Sequence, residues 1–344
     1  MQDHARFSRH PGAGHTPPDC LSIVIPFLNE LDVLPLCVLR LVSLLEQQRE
    51  SYELVFVDDG STDDSVAWLR GAMRANPAIR VVRLSRNFGK EAAMTAGLAH
   101  ARGDAVIVLD ADLQDPPELI PDMLRAWRDG ADVVCMRRRS RQGDGWLKRL
   151  SAHLFYRVLR RVSRADIPAD TGDFRLMSRR AVDALLSLPE RCRYMKGLYA
   201  WVGMPTRVID YDRAPRAAGS TKWSYFALFG LALEGITSFS ARPLRWATGI
   251  GVLVALSGGI FGLTIVLKTL ILGHQAPGYP SLMAVITLFS GIQLVTIGLL
   301  GEYLGKVYIE TKQRPIYLVS EILETAERAE TRGAHLELVD ARQQ

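Results

Sequence analysis

Ala105-Val106-Ile107-Val108-Leu109-Asp110-Ala111-Asp112 is the stretch that decides the fold. Its first five residues are apolar and partly β-branched, the composition of a strand buried on both faces of a parallel sheet. Two carboxylates two residues apart at the end of such a strand stand where open α/β sheets bind ligands. Hard divalent cations take oxygen ligands, and Mg2+ is usually held by one or two carboxylates plus substrate phosphates. A nucleotide-diphosphate site is therefore the first expectation. A solvated turn after a strand is the alternative.

The residues upstream extend the pattern. Leu21 to Pro26 reads as a first strand, Glu53 to Val57 as a second and Ile79 to Leu84 as a third. Helices are expected at about 32–48, 63–75 and 90–101, the second capped by the Ser61-Thr62-Asp63 group. Strands alternating with helices imply a parallel sheet with helical crossovers. No G-x-G-x-x-G follows the first strand and no G-x-x-x-x-G-K-[ST] occurs, so the common glycine cradles for phosphate are disfavoured. A carboxylate-bound metal is the remaining way to neutralise a diphosphate.

The chain has 344 residues, 48% of them hydrophobic, and a net charge of +5. A soluble enzyme would usually be less apolar. Trp246 to Leu267 and Ser281 to Gly301 carry no charge, and each is long enough to cross about 30 Å of hydrocarbon as a helix. Spans are expected at about 246–268 and 281–302, within a hairpin at 245–305 whose short turn covers 273–280. Basic residues flank the hairpin on both sides, among them Arg242, Arg245, Lys306 and Lys312. This bias puts both flanks in the cytoplasm. Residues 1–19 are polar and expected to be disordered, with no signal peptide. The stretch 223–244 is expected to form interfacial amphipathic helices, and 306–344 a cytoplasmic tail. The four cysteines show neither CxxC nor zinc spacing, and the histidines do not cluster. Gly258, Gly259, Gly262, Gly298 and Gly301 permit close helix packing, compatible with a homo-oligomer of unreadable order.

Several motifs together resemble glycosyltransferase family 2 and its GT-A fold. These are Pro26-Phe27-Leu28-Asn29-Glu30, Val57-Asp58-Asp59-Gly60-Ser61-Thr62-Asp63 and Asp110-Ala111-Asp112-Leu113-Gln114-Asp115-Pro116. They cover roughly residues 20–222. Three more motifs resemble the polyprenyl-phosphate glycosyltransferases, the group of dolichyl-phosphate mannose synthases and bactoprenol glucosyltransferases. They are Ser85-Arg86-Asn87-Phe88-Gly89-Lys90, Asp170-Thr171-Gly172-Asp173-Phe174-Arg175-Leu176 and Arg216-Ala217-Ala218-Gly219-Ser220-Thr221-Lys222. The two-helix hairpin is similar to the bacterial branch, which extends the resemblance to about residue 320.

The resemblance implies roles. Asp58 and Asp59 would hold the nucleoside, with Pro26 and Glu30 lining base and ribose; capping of the following helix is the alternative. Asp110 and Asp112, with Gln114, would hold Mg2+ or Mn2+ on the donor diphosphate. Lys90 and Arg216 would add charge against that diphosphate, and Lys222 would do the same or mark the membrane surface. Asp112 belongs to the catalytic set together with Asp173, which matches the position usually assigned as the base, and Asp170 is its runner-up. Arg175 would pair with either, or meet the acceptor. The reaction implied is a single in-line displacement with inversion, moving one sugar from a UDP- or GDP-linked donor to undecaprenyl phosphate.

The acceptor side follows from charge. From Arg137 to Arg164 ten basic residues face one acid, Asp144, with apolar residues interleaved at helical spacing. A basic amphipathic helix reads as binding an anionic membrane surface. No nucleic-acid fold motif accompanies it, so a nucleic-acid partner is not expected. Arg137 and Arg138 follow a strand expected at 131–136 and should point into the cleft as acceptor-phosphate ligands, with Lys148 and Arg149 next. The rival readings are a processive polysaccharide synthase of the same fold and a catalytically silent nucleotide-sugar-binding membrane scaffold.

Overall fold

The computed structural model describes residues 15, 18–48, 50–139, 171–212, 242–272 and 278–325. These fall into two compact units. The first holds an eight-stranded sheet. Its strands are β1 (Leu21–Phe27), β2 (Tyr52–Asp58), β3 (Ile79–Leu84), β4 (Ala105–Val108), β5 (Val133–Arg138), β6 (Thr171–Ser178), β7 (Thr206–Tyr211) and β8 (Val319–Leu323). The spatial order is β7-β5-β6-β4-β1-β2-β3-β8.

Strands β4, β1, β2 and β3 are mutually parallel, and β1 is buried along its whole length. This is the fate of uninterrupted apolar runs: with both faces covered there is no position for alternation to polar residues. Helices α1 (Leu34–Gln48), α2 (Ser65–Ala75) and α3 (Lys90–His100) supply the crossovers. Helix α3 lies close on β1 and β2, with Gly97 against Val24 and Val57. A Cβ on Gly97 would collide with Val24, so the glycine sets how near the helix approaches. Lys90 opens this helix. The chain adds β2 and β3 on one side of β1 and then returns to lay β4 on the other side. That reversal creates a crevice beyond the C-terminal ends of β1 and β4.

Helix α4 (Ile120–Arg128), strand β5 and antiparallel β6 follow, with α5 (Arg179–Leu186) and α6 (Met195–Val202) after β6. Strand β5 covers 133–138 rather than 131–136, because residues 129–132 are occupied by the turn that leaves α4.

The sheet's last strand corrects one expectation. Residues 319–323, assigned by sequence to a tail, pair antiparallel with the free edge of β3. An unpaired edge exposes a row of backbone donors and acceptors, and β8 satisfies them. A buried ion cluster fixes it. Arg80 Nη1 donates to Glu53 Oε2 at 2.9 Å and to the His100 carbonyl at 3.0 Å, and its Nε lies 3.2 Å from Glu324 Oε2. Arg102 Nη2 also reaches Glu324, at 3.0 Å. The other oxygen of Glu53 accepts from Ser22 Oγ and from the Arg102 amide, both at 2.6 Å. The cluster lies at the N-terminal ends of β1, β2 and β3, away from the crevice.

The second unit contains two long helices, α7 (Arg242–Leu272) and α8 (Tyr279–Lys312). Both are long and apolar enough to cross a membrane, over Ala247–Lys268 and Leu288–Lys312. Their apolar side chains, such as Leu253, Leu270 and Val295, face outward. Gly258 serves the contact between the two helices, since a Cβ there would stand 3.4 Å from the Phe289 ring. Helix α8 runs on to Lys312, ten residues past the expected end of the second span, because Glu302, Lys306 and Glu310 are good helix formers. The expected interfacial helices at 223–241 and most of the turn at 273–280 lie outside the described residues.

Candidate active site

Three loops at the C-terminal ends of β1, β2 and β3 brace one another. Asp58 ends β2, fully enclosed, and its Oδ1 accepts the Ser61 amide at 2.7 Å while Oδ2 faces Arg83 Nε at 3.3 Å. Asn29, in the left-handed region at φ 54°, accepts the Thr62 and Asp63 amides on its side-chain oxygen, at 2.8 and 3.3 Å. Asp59 accepts from the Phe88 amide at 2.8 Å and the Gly89 amide at 3.0 Å. Gly60, at φ +81°, sits so close to Arg86 and Asn87 that a Cβ would stand 2.7 Å from their backbone. Burial, first among its causes, raises the Asp59 carboxyl, and the two amides pull it back.

Neither Asp58 nor Asp59 caps α2, which starts at Ser65 after Asp64. Asp58 holds the turn after β2, and Asp59 holds the loop that leads into α3. The loop then delivers Lys90. Pro26 is buried within β1, and Glu30 follows as a partly exposed residue at its end. Asn29 is the bracing residue that sequence reasoning missed. The signal was present in its type, because Asn tolerates positive φ and bonds nearby amides.

Lys90 is the centre of the site. Its ammonium donates to both oxygens of Asp110, at 2.7 and 2.8 Å, and to Asp173 Oδ2 at 2.7 Å. Residues 90, 110 and 173 thus meet at one point, brought there by α3, the end of β4 and the start of β6. Burial would lower the Lys90 ammonium, but Asp110 and Asp173 outweigh it and hold it charged well above the usual lysine range. Burial would likewise raise the Asp173 carboxyl, and Lys90, Lys196 and Arg175 instead hold it well below the usual carboxylate range. Asp173 Oδ1 is buried with no hydrogen-bond partner among the described residues. Glu91, next on α3, accepts the Met195 amide at 3.0 Å. Burial and the nearby Asp173 push its carboxyl up to about 7.

Asp112 is nearly enclosed, and its Oδ1 accepts the Gln114 amide at 3.2 Å. Leu113 between them has φ 55°, a strained value for a bulky residue, which folds the acidic loop back on itself. Among the described residues no three of His, Cys, Asp and Glu converge as a ready metal cage. Asp110 and Asp112 are nonetheless an all-oxygen pair of the kind that hard cations share with phosphates. A cationic group, the Lys90 ammonium, already sits against one of them.

Alternation along β5 sends Arg137 and Arg138 to opposite faces, which corrects the expectation that both enter one cleft. Arg137 pairs with Asp210 of β7, Nε to Oδ1 at 2.6 Å. Arg138 lies toward the site: it meets Tyr211 Oη at 3.3 Å, stands 3.8 Å from Asp115, and lies across Gly172, where a Cβ would be 3.3 Å away. Tyr211 in turn donates to Asp115. Arg175 is also corrected. It is 3% exposed, donates to the Gly172 carbonyl at 2.7 Å and stacks 3.6 Å over the Tyr199 ring, so it cannot meet an acceptor. Nothing in the sequence tied Tyr199 to it. Asp170, Lys148, Arg149, Arg216 and Lys222 lie outside the described residues.

The geometry can be set beside known proteins. The family model "Glycosyl transferase family 2" matches residues 22–186. An uncharacterized glycosyltransferase of Synechocystis is 49% identical over 302 residues, covering 88% of this chain and 95% of its own. The chain belongs to glycosyltransferase family 2. It is a glycosyltransferase with a GT-A fold and a mostly parallel sheet at its centre. Among further family 2 relatives, a prophage bactoprenol glucosyl transferase homolog of Escherichia coli K12 is 44% identical, covering 88% of this chain and 99% of its own. The bactoprenol glucosyl transferase of Shigella phage SfV is also 44% identical, with 87% and 97% covered. The likeness therefore runs past the family 2 domain and over most of the chain.

Proposed function

We propose that this glycosyltransferase moves one sugar, glucose first among the candidates, from a nucleotide donor to undecaprenyl phosphate at the cytoplasmic membrane face, with inversion and with Mg2+ or Mn2+. The observation that carries the reading is the meeting of Lys90, Asp110 and Asp173 at the mouth of the sheet. The names of the bactoprenol relatives support the acceptor and the sugar. The two long helices support a membrane location, and the pairing of β8 with β3 supports an even number of crossings: the chain leaves and re-enters the same sheet-bearing unit.

In this reading Pro26 and Glu30 line the nucleoside, while Asp58 and Asp59 shape its pocket through the loops they hold. Asp110 and Asp112, with Gln114, hold the metal ion. When bound, it supplies charge neutralisation for the departing nucleotide diphosphate. Lys90 adds a second positive charge, with Arg216 and Lys222 as further diphosphate ligands. Arg138 receives the acceptor phosphate, with Lys148 and Arg149 following. A monoester phosphate has its second pKa near ~6 and so arrives largely dianionic at neutral pH. It needs little help from a base. Asp173, held ionised by its cationic neighbours, orients the acceptor or sugar rather than collecting a proton, and the phosphate oxygen displaces the nucleotide in line at the anomeric carbon.

The test offers the purified full chain a panel of UDP- and GDP-sugars with C55 phosphate and Mg2+ or Mn2+, and reads the lipid product by mass spectrometry. One hexose per lipid phosphate is expected, lost in EDTA and in Asp112→Ala. A growing polymer, or full turnover in EDTA, overturns the proposal.

A further inference from the structure

The Lys90 ammonium stands where a second cation would have to work. It occupies both oxygens of Asp110 at once, at 2.7 and 2.8 Å, and its third contact ties Asp173 to the same point. A metal ion on Asp110 would have to share those oxygens with the ammonium at close range, and two cations that close repel each other. Other charges of both signs stand around this point: Arg138 lies on the Asp110 side with Asp115 beside it, while Lys196 and Arg175 lie on the Asp173 side with Glu91 near Lys90. A diphosphate changes the balance. It brings negative oxygens that can serve the ammonium and the metal together. Lys90 is able to move toward them, because its side chain is 46% exposed and lysine is a compact charge on a flexible stem.

We propose that Lys90 is a resident counter-ion of Asp110 that excludes metal until the donor diphosphate arrives, so that metal and nucleotide bind together and metal alone binds poorly. The proposal rests on the reading of Asp110 and Asp112 as the metal carboxylates and adds an order of binding to it. Lys90 thereby guards the site against free divalent cations as well as meeting the donor. The same charge serves both purposes in turn, first on Asp110 and then on phosphate.

The experiment measures Mn2+ binding by the electron paramagnetic resonance signal of free Mn2+, using the detergent-purified full chain without nucleotide and then with UDP or GDP. Wild type is compared with the neutral variants Lys90→Gln and Lys90→Met and with Lys90→Arg, which keeps the charge. Lys90 opens a helix and is half exposed, so two neutral replacements of different shape guard against misfolding of either one. Without nucleotide, both neutral variants are expected to bind Mn2+ at least tenfold more tightly than wild type, and the Arg variant like wild type. With nucleotide, that advantage shrinks or reverses, because the neutral variants lack a charge for the diphosphate. Equal Mn2+ affinity of wild type and the neutral variants without nucleotide, with nucleotide-dependent binding intact, overturns this inference alone. Absence of Mn2+ binding from every form, with or without nucleotide, overturns the metal reading and this inference with it.

Discussion

Two cations sit between pairs of carboxylates at opposite ends of one sheet. At the N-terminal end Arg80 joins Glu53 to Glu324, and at the C-terminal end Lys90 joins Asp110 to Asp173. The charge count is alike, and the enclosure is not. Arg80 is 2% exposed, and its planar fork also meets a backbone carbonyl, which fixes its orientation. Lys90 is half open to solvent, and its point charge can turn to another anion. A carboxylate–cation–carboxylate bridge is thus a lock when it is enclosed and directional, and an exchangeable contact when it is open and compact.

Three experiments probe that distinction. The largest effect is expected from Arg80→Met, which leaves Glu53 and Glu324 buried without their shared partner. Loss of one member of a buried pair costs about 3–5 kcal/mol. Thermal or chaotrope melting of the purified chain should register it, while turnover per folded molecule stays at the wild-type value. A melting curve that does not move would erase the difference between the two bridges.

Asp173→Asn is the matching change at the open end. It leaves Lys90 its two contacts to Asp110, so melting should shift little. Removal of one preorganised electrostatic group typically costs ~10²-fold in rate, and a loss of that size is expected in kcat with the lipid acceptor. A full-rate enzyme would remove Asp173 from the reaction.

Glu91, beside Lys90 on α3, makes the open end sensitive to pH. Its carboxyl is raised from 4.5 to about 7 in the folded chain. The folded state therefore keeps a proton that the unfolded chain gives up near 4.5. Stability from this residue is full below pH 4.5 and is lost as pH rises through about 7. Melting temperature should fall across that window in wild type, and the fall should flatten in Glu91→Gln. Parallel pH curves for the two proteins would exclude Glu91 as the source.

Much of this was legible in the sequence, for physical reasons. The strands β1 to β4 are short uninterrupted apolar runs, and such runs leave few choices. The acidic loop after β4 was legible because two carboxylates at a strand end are a local pattern. What failed was non-local. Val319-Ser320-Glu321-Ile322-Leu323 is a short, half-polar edge strand, and its partner β3 lies more than two hundred residues earlier in the chain. The bracing role of Asp59 was hidden because the amides it holds, Phe88 and Gly89, belong to a loop 29 and 30 residues on. Arg175 resembled an acceptor contact because the ring that covers it arrives on α6. The bridge at Lys90 was half visible: its charge was expected against a diphosphate, but not its present hold on Asp110 and Asp173.

The position of β8 has a consequence for how the protein is made. The sheet borders on a strand that the ribosome delivers only after both long helices, so most of the domain emerges long before its outermost member exists. Until then the flank of β3 is bare and Arg80 lacks Glu324. Completion of the catalytic layer is thereby tied to the arrival of the helical pair, and a chain interrupted within that pair would carry a domain with an open seam.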